Sequence, residues 1–214
     1  MNPFDDCVAK GRLKKVEPDI ERVARELATA QDELQRARTS FAANRWDETV
    51  TQSYFAMSRC ARAAINARGY RDTNLYGLCV GLQALFVDKG DLPENTVKQI
   101  REAKDLKDLV YAGGRVSPDK ARRALAWLLV LAKAIFTQLA LPGFDGDAIE
   151  TTLPAPPDPG RTAPPSWGQP SSRPRGSSGY RDSRARYAGG DHVRGGGSRG
   201  QSQPDARARF RHWD

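Results

Sequence analysis

From Ile20 onward, the apolar residues Ile20, Val23, Leu27, Ala30, Leu34, Ala37 and Phe41 recur at steps of three and four. That spacing places them on one stripe of an α-helix, with Glu21, Arg22, Arg25, Glu26, Asp32, Glu33 and Arg36 mostly on the other face. Glu17-Pro18 precedes the helix and Asn44 is its expected break. A second helix is predicted from Trp46 to Arg68, with Trp46, Val50, Tyr54, Met57, Ala61, Ala64 and Ile65 as its apolar positions. Its second half is rich in small residues (Ala56, Cys60, Ala61, Ala63, Ala64, Ala67), which lets a neighbouring helix come close. Gly69 follows as the expected C-terminal cap.

The third helix is expected from Asn74 to just before Gly90, carrying Leu75, Leu78, Val80, Leu82, Leu85 and Phe86. Gly77 and Gly81 weaken it, each by about 1 kcal/mol relative to alanine. A shorter fourth helix opens at Pro93 and runs through Val97, Ile100, Ala103 and Leu106, before the loop at Gly113-Gly114. Ser117-Pro118 reads as an N-cap followed by a first-turn proline. The fifth helix, Pro118–Leu141, presents Ala121, Leu125, Leu128, Leu131, Ala132, Ile135 and Leu139, and Pro142-Gly143 stops it. No stretch alternates with period two for more than a few residues, so no sheet is expected. The expected fold is all-α, an antiparallel up-and-down bundle of four to five helices.

Composition divides the chain. Of its 214 residues, positions 1–144 hold 23 basic and 18 acidic side chains, whereas positions 145–214 hold 9 of the 14 prolines, 11 of the 19 glycines and no lysine. So few aliphatic residues cannot offset the entropy of ordering, so the second part is expected to be a disordered tail. Two regions follow: a helical bundle at 1–144 and a Pro/Gly/Arg-rich tail at 145–214. The longest apolar run, Ala124–Ala132, is nine residues, too short to cross a bilayer. The first residues lack the pattern of a signal peptide. Cys7, Cys60 and Cys79 lie far apart, form no CxxC pair and suit core packing in a reducing, cytoplasmic compartment. No metal site or cofactor is indicated.

Three local runs resemble the HEPN superfamily, small helical domains often paired with minimal nucleotidyltransferases. They are Asn2-Pro3-Phe4-Asp5-Asp6-Cys7 with Gly11-Arg12-Leu13, then Tyr54-Phe55-Ala56-Met57 with Ala61-Arg62-Ala63, then Gly69-Tyr70-Arg71 directly after that helix. The match spans roughly residues 2–140 and none of the tail. The resemblance implies a bundle that commonly forms a homodimer and has a nucleotidyltransferase-type protein partner, in a toxin–antitoxin or defence setting. In many members it also implies a metal-independent ribonuclease, with an arginine followed four to six residues later by a histidine. Here the chain departs from the family. Ser58-Arg59 stands where branch members commonly have Phe-His, Asn74 stands where they commonly have histidine, and the first histidine is His192.

Cleaving RNA without metal needs a group that exchanges a proton near neutral pH, as imidazole does with an unperturbed pKa of about 6.5. Arginine stays charged and asparagine does not titrate there. The reading is therefore a non-catalytic module that binds RNA, a protein partner or both, and no catalytic residue is assigned. One alternative is a ribonuclease toxin using non-standard residues among Arg59, Arg71, Asn74 and Tyr76; another is a protein–protein assembly scaffold.

Arg59 and Arg62 share a helix face and, with Arg68, Arg71 and Asn74, suit phosphate binding; the simpler reading is that one or more of them pairs with carboxylates within the bundle or at a dimer interface. Asp105 and Asp108 sit among Lys104 and Lys107 as an ordinary mixed-charge surface. From Arg161 onward there are 11 arginines and four aspartates, with Arg175-Gly176, Arg194-Gly195 and Arg199-Gly200 interspersed with aromatic residues. This RGG-like composition suits weak, salt-sensitive nucleic-acid binding, with Arg175, Arg194 and Arg199 as candidate contacts. A solubilising extension or a tether for another protein accounts for it as well.

Overall fold

The computed structural model describes residues 2–153, and they form an all-α bundle with one small β-ribbon. The element order is α1 (Pro3–Ala9), β1 (Leu13–Lys15), α2 (Ile20–Ala42), α3 (Trp46–Ala67), β2 (Tyr70–Asp72), α4 (Leu75–Leu82) with a π-helical extension (Gln83–Val87), α5 (Thr96–Tyr111) and α6 (Pro118–Leu139). Helix α3 is the centre, packing against α2, α4, α5 and α6. Its small residues explain this position: Ala56, Cys60, Ala61, Ala63 and Ala64 are fully buried, so neighbouring helices approach on several sides.

The apolar stripe of α2 buries Val23, Leu27, Ala30, Leu34, Ala37 and Phe41, but its first member, Ile20, is 61% exposed because it opens the helix beyond the edge of the core. Helix α6 buries Ala124, Leu129 and Phe136 as well as the expected stripe up to Ile135, while Leu139 in its last turn is only partly buried. Asn44 turns the chain between α2 and α3 in the left-handed conformation, φ 60°, which asparagine tolerates better than most residues. Helix α6 ends at Leu139, with left-handed Ala140 terminating it two residues ahead of Pro142.

Four expectations need correction. First, the chain does contain a sheet: β1 and β2 pair antiparallel, Leu13 opposite Asp72, Lys14 opposite Arg71 and Lys15 opposite Tyr70. Strands of three residues are too short to display a period-two pattern. Second, the described residues hold six α-helices rather than four to five, because α1 also forms, with Asn2 Oδ1 accepting from the Phe4 amide and Pro3 in its first turn. Third, α5 starts at Thr96 rather than at Pro93, whose carbonyl accepts from the Thr96 amide in the preceding turn. Fourth, packing continues beyond Phe144, since Ile149 and Leu153 also lie against the core.

The two glycines that weaken the third helix have a packing reason. Gly77 and Gly81 lie one turn apart on α4 and face β1. A Cβ on Gly77 would overlap the Arg12 carbonyl, and one on Gly81 would come within 3.2 Å of Leu13 Cδ1. The glycines therefore let β1 lie directly on the helix, with Leu13 completely buried. Among the described residues no helix is long and apolar enough to cross a membrane.

Candidate nucleic-acid interface

The ribbon collects basic residues from two distant parts of the sequence. Leu13 points into the core, so alternation turns the neighbouring Lys14 outward, and the register puts it directly opposite outward-facing Arg71. Thr73 holds the start of the ribbon, donating from its amide to the Arg12 carbonyl at 3.1 Å. At the other end the Val16 amide donates to the Gly69 carbonyl at 2.9 Å. Gly69 has φ +76°, reversing the chain directly from α3 into β2. Tyr70 is fixed by an edge contact with Phe4, ring centroids 5.2 Å apart. Beside the ribbon, the Arg12 guanidinium lies 5.3 Å from the centre of the Tyr76 ring, which is 45% exposed.

The four core arginines of the sequence reading separate sharply. Arg59 Nη1 donates to Glu26 Oε2 at 3.0 Å, tying α3 to α2. Arg62 Nε donates to Asp72 Oδ2 at 3.3 Å, and the Asp72 side chain is only 7% exposed. Arg62 cannot turn to a phosphate without leaving a buried carboxylate uncompensated. Arg68 pairs with Asp91 at 3.5 Å and stacks over Phe86. Arg71 alone has no ion-pair partner among the described residues, and neither has Lys14 or Lys15. Pairing accounts for Arg59, Arg62 and Arg68; exposure leaves Arg71 available.

Asn74 has structural work. Its Oδ1 accepts from the Gly77 amide at 2.8 Å, capping α4. We expect Asn74→Ala to cost about 1 kcal/mol of folding free energy, measured by urea denaturation. An unchanged midpoint would contradict the capping role.

The sequence reading missed Arg12, Lys14 and Lys15. The available signal was a basic cluster, Arg12-Leu13-Lys14-Lys15, in a segment without helical periodicity. Arg175, Arg194 and Arg199 lie outside the described residues.

Proton-transfer and nucleophilic chemistry find little support in the bundle. Burial pushes the Cys60 thiol up to about 12 and also raises Cys7 and Cys79, the latter against an opposing hydrogen bond from Arg101. None is a thiolate near neutral pH. Ser58 is 3% exposed, with no hydrogen-bond partner for its hydroxyl among the described residues and no histidine in the bundle to activate it. Asp108 binds Lys104 at 2.6 Å and also Lys107; burial alone would raise its pKa, but these two ammonium groups outweigh it and lower it. Among the described residues no three His, Cys, Asp or Glu side chains converge as metal ligands would.

The fold and this face define an all-α protein carrying a basic β-ribbon, with cations on both strands and an aromatic ring beside them. Compared with family models, curated proteins and solved structures, the chain matches none.

Proposed function

We propose that this chain is a helical module of the HEPN type that binds single-stranded RNA and does not cleave it. The observation carrying this reading is the Lys14–Arg71 pair: two like charges directly opposite on an exposed ribbon, with no carboxylate partner among the described residues. Such a pair destabilises the ribbon by about 0.2–1 kcal/mol. A phosphate lying between the two side chains removes that repulsion. Arginine grips phosphate with two parallel hydrogen bonds, whereas lysine acts as a compact charge, so the pair can hold one or two successive backbone positions. Tyr76, supported by Arg12, offers a half-exposed ring for stacking an unpaired base. The arginine-rich segment from Arg161 adds sequence-independent affinity. The missing imidazole supports binding without cleavage, since Arg71 and Asn74 cannot shuttle a proton at neutral pH.

The test is a fluorescence-anisotropy titration of the full chain with a single-stranded oligoribonucleotide, repeated between about 50 and 200 mM salt. Binding that weakens steeply with salt, and RNA that stays intact in chelator, is the expected result. Absence of binding at low salt would overturn the binding reading, and cleavage in chelator would overturn the non-catalytic one.

A second reading, a protein-binding module, rests on a different surface. Lys107 Nζ lies between the rings of Tyr54 and Tyr111, 5.4 and 5.1 Å from their centres, and Tyr111 and Phe55 are 68% and 38% exposed. Exposed aromatic residues around a cation suit a protein interface. A nucleotidyltransferase-type partner or a second copy of the chain is the occupant this reading expects. Light scattering of the full chain alone, and with such a partner, distinguishes the two.

A further inference from the structure

The first turns of α6 and the loop before them carry a second set of cations. Between Gly114 and Val130 stand Arg115, Lys120, Arg122 and Arg123, against a single carboxylate, Asp119. Arg115, Arg122 and Arg123 are exposed and Lys120 is half-buried. None of the four forms an ion pair among the described residues, in contrast to Lys98, Lys104 and Lys107 on α5, which all do. Asp47 reaches this end from α3, but one of its oxygens accepts from the Val116 amide at 2.9 Å. Lys120, Arg123 and Trp127 recur at steps of three and four, so they share one face of the helix.

Contacts between cations and rings connect this surface to the ribbon. Among the described residues Arg12, Arg68, Lys107 and Arg123 lie over aromatic rings. Arg68 and Lys107 also hold carboxylates, those of Asp91 and Asp108. Arg12, over Tyr76, and Arg123, 6.0 Å from the centre of the Trp127 ring, hold none. Both places combine unpaired cations with a flat ring, the pairing by which a protein grips a phosphate backbone and stacks its bases. An acidic protein surface would use the charge alone; a nucleic-acid strand uses charge and ring together.

Helix α3 sets the distance between the two surfaces. The bond to Asp47 ties the start of α6 to the first turn of α3, while Gly69 leads from the other end of α3 into β2 and Arg71. The 22 residues of α3 span about 33 Å. At about 3.4 Å per nucleotide of a stacked strand, that is roughly ten nucleotides. We propose that Arg115, Lys120 and Arg123 form a second phosphate-binding surface, and that one RNA strand of about ten nucleotides or more engages it together with the ribbon. This rests on the RNA-binding reading and adds to it the length of strand the protein recognises. The second contact is then intramolecular, so a strand that reaches both surfaces binds more tightly than one too short to do so.

The full chain is titrated with RNA strands of about four and about twenty nucleotides, beside the triple variant Arg115→Gln, Lys120→Gln, Arg123→Gln. On the long strand the variant should lose about tenfold or more in affinity, and the slope of log K against log salt should become shallower by about 2, the value for three single-strand phosphate contacts. On the short strand, which the ribbon still holds, the loss should stay within about twofold. On the native chain the long strand should protect Lys14, Lys15 and Lys120 from acetylation but not Lys98, the exposed control on α5. Unchanged affinity and slope on the long strand would overturn the inference while leaving the ribbon reading intact, and so would a Lys120 acetylated as readily as Lys98 in the complex. An equal loss on both lengths would overturn the bridging by one strand. Binding of neither strand by the native chain would overturn this inference and the RNA-binding reading together. Lysine protection is read on the native chain, so it decides the matter even if the triple variant does not fold.

Discussion

Replacing Gly77 with alanine is expected to lower the melting temperature by roughly 5–10 °C, through a loss of about 2–3 kcal/mol. Elsewhere in a helix the same change adds up to about 1 kcal/mol of stability, because alanine is the better helix former. Here packing reverses the sign. The added Cβ overlaps the Arg12 carbonyl oxygen and lies within 2.8 Å of its carbonyl carbon, and backbone cannot rotate out of the way as a side-chain tip can. Relief requires lifting β1 from α4, which exposes Leu13 and strains the hydrogen bond from the Thr73 amide to Arg12. Gly81→Ala is the internal comparison. Its nearest neighbour is the end of the Leu13 side chain at 3.2 Å, which can shift by a few tenths of an ångström, so its loss should be much smaller. Thermal unfolding of the two variants by circular dichroism tests the assignment. Equal losses, or a gain for Gly77→Ala, would contradict the close approach of ribbon and helix.

Neutralising the cross-strand pair, Lys14→Gln with Arg71→Gln, is expected to move binding and stability in opposite directions. Affinity for single-stranded RNA should fall by about tenfold to a hundredfold at low salt, because two phosphate-binding cations are lost. The slope of log K against log salt should become shallower by about 1.4, the value for two single-strand phosphate contacts. Meanwhile the unliganded protein should keep its stability or gain up to about 1 kcal/mol, since the repulsion between directly opposed cations is gone. A structural role would lower stability instead, and a solvated surface with no ligand would leave the binding slope unchanged. Parallel titration and urea denaturation of the double variant separate these outcomes.

The same arithmetic explains why Arg62 is not interchangeable with Arg71, although both were candidates on equal terms in the sequence. Arg62 completes a charge pair with a largely buried Asp72, and losing it strands that carboxylate. Arg71 follows Tyr70 on an exposed strand and forms no ion pair among the described residues, although Glu17 and Asp19 line a cleft with it. One arginine belongs to the fold, the other is available to a ligand. Their separation of nine residues gives no hint of this.

Helical periodicity by itself determined the bundle. The stripe from Val23 to Phe41, the small residues of α3 and the stripe of α6 each follow from local chemistry: an amphipathic helix has one way to bury its apolar side, and that side is written in the spacing. The absence of histidine before His192 was equally readable, since it is a fact of the sequence alone. Tertiary structure alone decided the rest. Residues 13–15 and 70–72 pair across a separation that no local pattern encodes, and three-residue strands are stabilised by what they pack on rather than by their own alternation. Gly77 looks like a helix defect until the backbone it admits is present. Arg59, Arg62 and Arg68 acquire partners from other elements, while Lys14 and Arg71 are set face to face with no ion-pair partner among the described residues. Charge pairing and close approach depend on which segments meet, and that is set by the packing of the whole bundle.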